Sequence, residues 1–308
     1  MTNPFVEPGP HGGDGARLAA RLGVSPSEVL DLSVSCNPVA PDVTALVIDH
    51  ADTVRTYPDD RVARDALADA IGVDPARLVL TNGGAEAIAL VAAVLPRGWV
   101  QHPDFSLYAA HLAVVEPGAP RWRSNPHNPT GQLAADDEDA AVWDEAFYPL
   151  TTASWTRGDA DRGSVVVGSL TKLFACPGLR IGYVLTPDDQ LADEVTARRP
   201  EWSVNALACA VLPALLDTAD LDGWSAALRS LREQLVTVLV VHDLKPDPSD
   251  ANFVLVRDAP TLRDHLARRG VLVRDTTSFG WPDGVRIAVP DANGLESFAA
   301  ALATWSRP

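Results

Sequence analysis

The sequence predicts an α/β protein, on three observations. Short apolar runs alternate with segments of helical period through most of the chain; turns rich in Gly, Asn and Pro separate them; and the last third changes to a different order of elements. In chain order, 61–71 places apolar residues three and four apart, as one face of a helix does. The run at 78–80 is a strand closed by Thr81-Asn82-Gly83-Gly84, after which helical period resumes over 86–95. Further strands are expected at 99–101, 165–167 and 181–185, and further helices at 205–216 and 224–241. From about residue 218 the order becomes one long helix, a strand at 252–256, a helix at 261–269, strands at 271–273 and 285–289, and a last helix from about Leu295. That order reads as a small α+β domain appended to the main sheet.

Composition narrows the function. A chain of 308 residues that is 46% hydrophobic buries a substantial core, and its net charge of -16 argues against a phosphate-backbone partner, which needs a positive stripe. A small-molecule ligand fits better than nucleic acid. The N-terminus lacks a basic stretch followed by an apolar run, and no segment approaches the roughly 20 apolar residues that span a bilayer. A cytoplasmic protein with no membrane partner is therefore expected. Cys36, Cys176 and Cys209 are scattered without CxxC or CxH spacing, so neither a disulfide framework nor a metal site is expected.

Three segments carry chemistry. Ser169-Leu170-Thr171-Lys172-Leu173-Phe174-Ala175-Cys176-Pro177-Gly178-Leu179-Arg180 lies between two apolar strands, where apolar walls favour a neutral amine able to bond a carbonyl. Its hydroxyls and Arg180 suit a phosphate, although a Lys and an Arg in a loop are by themselves more often simply solvated. Thr81-Asn82-Gly83-Gly84-Ala85-Glu86 opens a helix with small residues, either as a cup for an anion or as an ordinary strand-to-helix turn. Asn125-Pro126-His127-Asn128-Pro129-Thr130-Gly131, followed by Trp143-Asp144-Glu145-Ala146-Phe147, supplies an amide for a phenolic oxygen and a carboxylate for a pyridine nitrogen. Read blandly, these are a turn and a strand-end acid.

In this order the three segments resemble pyridoxal-phosphate (PLP) enzymes of aminotransferase class I/II, the aspartate-aminotransferase-like fold type I, over most of the chain from His11 onward. The resemblance implies a large PLP-binding domain at 40–217, a small α+β domain from 1–39 and 218–308, and a homodimer with shared active sites. It implies Lys172 as the lysine that carries the cofactor, Asp144 at the pyridine nitrogen, Asn128 at the ring oxygen and Phe105, of His102-Pro103-Asp104-Phe105, stacked on the ring. Gly84, Ala85, Ser169, Thr171 and Arg180 would hold the phosphate, joined by Tyr57 from the neighbouring subunit; Arg286 matches the arginine that takes the substrate carboxylate.

Within the family, His11-Gly12-Gly13-Asp14 and Leu30-Asp31-Leu32-Ser33-Val34-Ser35-Cys36-Asn37-Pro38 are similar to threonine-phosphate decarboxylases of cobalamin biosynthesis, as are Val273-Arg274-Asp275-Thr276-Thr277-Ser278-Phe279 and Pro200-Glu201-Trp202-Ser203-Val204-Asn205. The resemblance implies His11, Asn37 and Arg274 as further substrate contacts. Histidinol-phosphate aminotransferases share the central motifs and give the alternative; a non-enzymatic sensor or scaffold is a third reading, the least expected with no basic DNA-binding helix pair ahead of His11. The chain departs from the pattern in three respects. It is shorter over 109–124 and 132–143, by roughly one βα unit and one helix of a doubly wound sheet; Phe147 stands where many aminotransferases have tyrosine; and His127 replaces a common asparagine.

Overall fold

The computed structural model describes residues 4–306. The described chain has eleven strands: β1 Leu30–Leu32, β2 Leu78–Thr81, β3 Arg97–Val100, β4 Val114–Val115, β5 Arg121–Ser124, β6 Val142–Asp144, β7 Val165–Ser169, β8 Gly182–Leu185, β9 Phe253–Val256, β10 Val271–Asp275 and β11 Val285–Ala288. It divides into two compact units, a terminal one of Met1–Val39, Pro129–Gln132 and Ala226–Pro308, and a central one of Ala40–Asn128 and Leu133–Ser225.

The central unit is built on a seven-stranded sheet in the order β2-β8-β7-β6-β5-β3-β4, parallel except for β8, which runs against both of its neighbours. A largely parallel sheet has to be covered by other elements, because its strands are apolar on both sides. On one face Val79, Trp122, Val142, Val165, Val167 and Val184 pack with Ala87, Ile88 and Val91 of the helix Gly83–Val94 and with Tyr108 of Ser106–His111. Each fully buried aliphatic side chain there contributes about 1.5–3 kcal/mol relative to exposure. Tight contact at the β2 turn depends on glycine. A Cβ on Gly182 would fall 2.5 Å from the carbonyl carbon of Gly83 and 2.7 Å from the nitrogen of Gly84, so no larger residue lets β8 reach the turn.

The shortened segments leave the seven strands in place but remove their covering. β4 passes to β5 through 116–120, and β5 to β6 through 125–141, with no helix in either connection. Trp143, fully buried, is instead met by two guanidiniums, with Arg123 5.8 Å and Arg157 4.9 Å from its ring centre. Arg157 donates to the carbonyls of Ala135 (2.8 Å), Asp136 (3.0 Å) and Glu138 (3.0 Å), and Glu138 pairs with Arg121 (2.7 Å) and with Arg123. Arginine stems and forks therefore hold down the loop that stands where a helix is expected.

In the terminal unit the sheet runs β1-β10-β11-β9, with β1 parallel to β10 and the remaining pairs antiparallel. Val6, Leu18, Ala267 and Leu272 form a small core on it, and Phe5 is flanked by the guanidiniums of Arg21 and Arg268.

Arg157→Ala removes three hydrogen bonds and one cation–π contact. It is expected to cost about 2–3 kcal/mol, read as a lower urea midpoint with an unchanged slope.

Candidate active site

The central unit gathers its polar side chains where the parallel strands end, the edge at which open α/β sheets bind ligands. Ser169, the last residue of β7, leads directly into the helix Leu170–Leu173, which carries Thr171 and Lys172; Thr171 is buried and Lys172 half-buried. The hydroxyls of Ser169 and Thr171 are 2.8 Å apart. Left-handed backbone at Ala175 (φ 49°) and Arg180 (φ 57°) then turns the chain so that Arg180 Nη2 donates to the carbonyl of Asn82 at 3.4 Å. A Cβ on Gly83, whose φ is +76°, would be strained and would lie 2.3 Å from that nitrogen, displacing the guanidinium. A guanidinium, two hydroxyls and the N-terminus of the helix Gly83–Val94, with Gly84 against Ser169 and Ala85 next along, surround a space suited to a phosphate.

Asp144 ends β6. Its Oδ2 accepts from the Tyr108 hydroxyl at 2.7 Å and its Oδ1 from the Ala146 amide at 3.0 Å. Burial pushes the carboxyl up to about 6, against the pull of these bonds and of the Lys172 charge, while Asp104 adds to the rise. Burial and the Asp144 carboxylate in turn push the Tyr108 hydroxyl upward. Phe105 meets Tyr108 edge to face, with ring centres 5.7 Å apart.

Asp104 locks the adjoining loops. Its Oδ1 accepts from the Phe105 amide (2.7 Å) and the Ser124 hydroxyl (2.6 Å), and its Oδ2 from the Ser124 amide (3.1 Å). Ser124 Oγ accepts from the Asn128 amide at 2.7 Å, so one buried carboxylate sets both Phe105 and Asn128. Burial lifts Asp104 to about 6 as well. Tyr108, Asp104 and Ser124 escape sequence reasoning; the available signals were a tyrosine one helical turn after Phe105 and an acid inside an apolar neighbourhood.

Tyr57 stands apart from this cluster. It is 77% exposed, with its ring 4.5 Å from that of Trp202, itself 57% exposed.

The terminal unit holds a second cluster. Arg274 and Arg286 face each other across β10 and β11, and both are buried. Burial and the Arg274 charge hold the Arg286 guanidinium down to about 9. Arg274 donates to the carbonyls of Gly9 (2.9 Å) and Pro10 and to Ser278 Oγ (3.1 Å), and burial with the Arg274 charge lowers the His11 pKa. Gly13 donates to Ser33 Oγ at 2.8 Å; Asn37, also buried, accepts from the Val39 amide at 3.1 Å.

Residues 122–302 match the family model for aminotransferase class I and II. Histidinol-phosphate aminotransferase 1 of Thiobacillus denitrificans is 28% identical over 344 aligned positions, covering 93% of this chain and 88% of that protein. Threonine-phosphate decarboxylase of Salmonella typhimurium is 29% identical, covering 95% of each chain. Both alignments are longer than the 308 residues available, as expected where the relatives carry extra segments. The solved histidinol-phosphate aminotransferase of Sinorhizobium meliloti in complex with pyridoxal-5'-phosphate has the same fold, with a TM-score of 0.82 at 18% identity over 98% of this chain and 94% of that one.

Fold and family together define a fold-type I enzyme, and the chain belongs to the aminotransferase class I and II family. It is a PLP-dependent enzyme of transferase or lyase type. The cradle described above fits that cofactor: a space at Gly83 that a Cβ would fill, donors for a phosphate, a desolvated carboxylate and a nearby lysine charge. Among the described residues, no helix is long and apolar enough to cross a membrane, and no group of three or more His, Cys, Asp and Glu side chains is placed to hold a metal ion.

Two outcomes follow from the raised carboxyls. Asp104 ionises near 4 when unfolded and near 6 when folded, so its contribution to stability is whole below pH 4 and is lost as pH rises to about 6, about 3 kcal/mol in all. Asp104→Asn should flatten that part of the pH–stability curve in urea titrations. In cofactor-free protein, Tyr108→Phe should raise the Asp144 ionisation midpoint above about 6, by roughly 0.7 of a pH unit for a bond worth about 1 kcal/mol, as read by carboxyl NMR.

Proposed function

We propose that this enzyme is a threonine-phosphate-decarboxylase-like lyase acting on a small amino compound with two anionic groups. The observation that carries the reading is the terminal-unit cluster. Arg274, Arg286 and His11 form one positively biased group, and the segment bearing His11-Gly12-Gly13 is tied into it through the Arg274 bonds to Gly9 and Pro10. Paired guanidiniums suit a substrate that carries both a carboxylate and a phosphate. A relative named threonine-phosphate decarboxylase supports the same reading, which implies a place in cobalamin biosynthesis. Aminotransfer on histidinol phosphate is the second reading, favoured by relatives of that name.

When bound, the cofactor supplies an electron sink for the pair left by a bond broken at the substrate's α-carbon. The chain supplies the rest. Lys172 would hold the cofactor through its ε-amine until the substrate amine displaces it, and the freed amine would then carry a proton to the substrate's α-carbon. Asp144, kept in register by Tyr108, would hold a proton on the ring nitrogen. Asn128 would donate to the ring oxygen and Phe105 cover the ring, both fixed through Asp104, while Gly84, Ala85, Ser169, Thr171 and Arg180 would take the phosphate. Arg286 would hold the substrate carboxylate, with Arg274, His11 and Asn37 at its other end. That leaves the bond to the carboxylate or the bond to hydrogen as the one aligned for cleavage.

A homodimer belongs to the same proposal. Ile48, Val54, Tyr57, Val62 and Trp202 are large apolar side chains left exposed on the central unit, and burial against a second copy accounts for them.

Incubating the PLP-loaded protein with O-phospho-L-threonine and no keto acid is expected to release CO₂ and aminopropanol phosphate by mass spectrometry, and Lys172→Ala should abolish it. Absence of turnover, together with conversion of the cofactor to its amine form by histidinol phosphate, would replace this reading with the aminotransferase.

A further inference from the structure

We propose that a cavity on the helix-free face of β3 and β5 is a binding site for a small oxyanion of the size of inorganic phosphate. The cavity has a volume of about 220 Å³, and its polar lining includes Gln101, His102, Arg121, Arg123, His127 and Glu138. Alternation along β5 sends Trp122 and Ser124 into the core and Arg121 and Arg123 to the opposite side. That side is open because 125–141 forms no helix. No residue assigned above to the cofactor or the substrate lines it.

Arg121 and Arg123 are matched in formal charge by Glu138 and Asp104 once Asp104 ionises, above about pH 6. Two guanidiniums share the single carboxylate of Glu138. Asp104, the other acid on the lining, has both oxygens engaged by Ser124 and Phe105. Arg121 donates from Nη2 to Gln101 Oε1 at 3.3 Å, but its Nε is buried and has no acceptor. Burial and the neighbouring Arg121 and Arg157 charges hold the Arg123 guanidinium down to about 10, though Asp104 opposes this. Burial lowers His127, whose bond to the Pro103 carbonyl opposes the shift, and the two arginine charges lower it further. A buried guanidinium N–H without an acceptor stays dry beside an apolar guest or a cation, whereas an oxyanion supplies the missing acceptor. Glu138 stands in for that anion on one side and competes with it.

Inorganic phosphate alone, titrated calorimetrically into the PLP-loaded enzyme, tests the site. Arg121→Gln should weaken binding about tenfold, and Glu138→Gln, which releases both guanidiniums, should tighten it about tenfold. Partial unfolding cannot imitate the second result, because it only weakens binding. No phosphate binding by the unaltered enzyme overturns the proposal. So does binding that Glu138→Gln leaves unchanged and Arg286→Ala removes, since that phosphate would belong to the terminal-unit cluster.

Discussion

The active-site edge of this enzyme depends on keeping carboxylates out of water. Asp144 ends β6 and Asp104 follows β3, on the far side of β5; burial opposes the ionisation of both, and Asp104 raises Asp144 further. Such groups persist in a fold only when donors are built around them. Tyr108 and Ala146 serve Asp144; Ser124 and Phe105 serve Asp104. Because Asp104 takes the Phe105 amide and the Ser124 hydroxyl, and that hydroxyl takes the Asn128 amide, satisfying this acid also orders two residues proposed to meet the cofactor. Glu145, pushed to about 7 by burial, extends the same pattern behind the sheet, where the Arg157 amide donates to it at 3.2 Å.

The second constraint is coverage of the sheet. A seven-stranded, mostly parallel sheet normally carries helices on both faces, yet the connections into β5 and β6 carry none. Arginine is suited to the gap because its stem packs on indole while its fork reaches several carbonyls at once. Trp143, with Arg123 and Arg157 against it and the loop bound by Arg157, shows this arrangement. The expected loss of a βα unit takes another form here, since the strands remain and their covering is what has been shortened.

Much of the fold, and the motifs that make up the candidate site, are legible in the sequence because the signals are local. Helix period over 61–71 yields the helix Arg61–Ile71, and the apolar run at 165–167 lies inside β7. The residues in the PLP motifs were found as motifs because each must adjoin a particular glycine, turn or strand end within a few positions, as Ser169, Thr171 and Lys172 do. β5 was not legible: Arg-Trp-Arg-Ser carries charge on alternate positions and resembles a surface segment until Glu138 is placed beside it.

The sequence by itself determined the α/β class, the family and the residues proposed to serve the cofactor, since these follow from the period of apolar residues and from motifs read in order. Tertiary structure alone decided that Tyr108 supports Asp144, that Asp104 governs Phe105 and Asn128, that Arg274 and Arg286 stand side by side, and that arginines replace a missing helix. Tyr108 and Asp144 are 36 positions apart, and Arg274 reaches back 265 positions to Gly9. Contacts of that separation depend on which strands become neighbours in a sheet, and on how far burial shifts a charge once they do, and neither is encoded in any local stretch of chain.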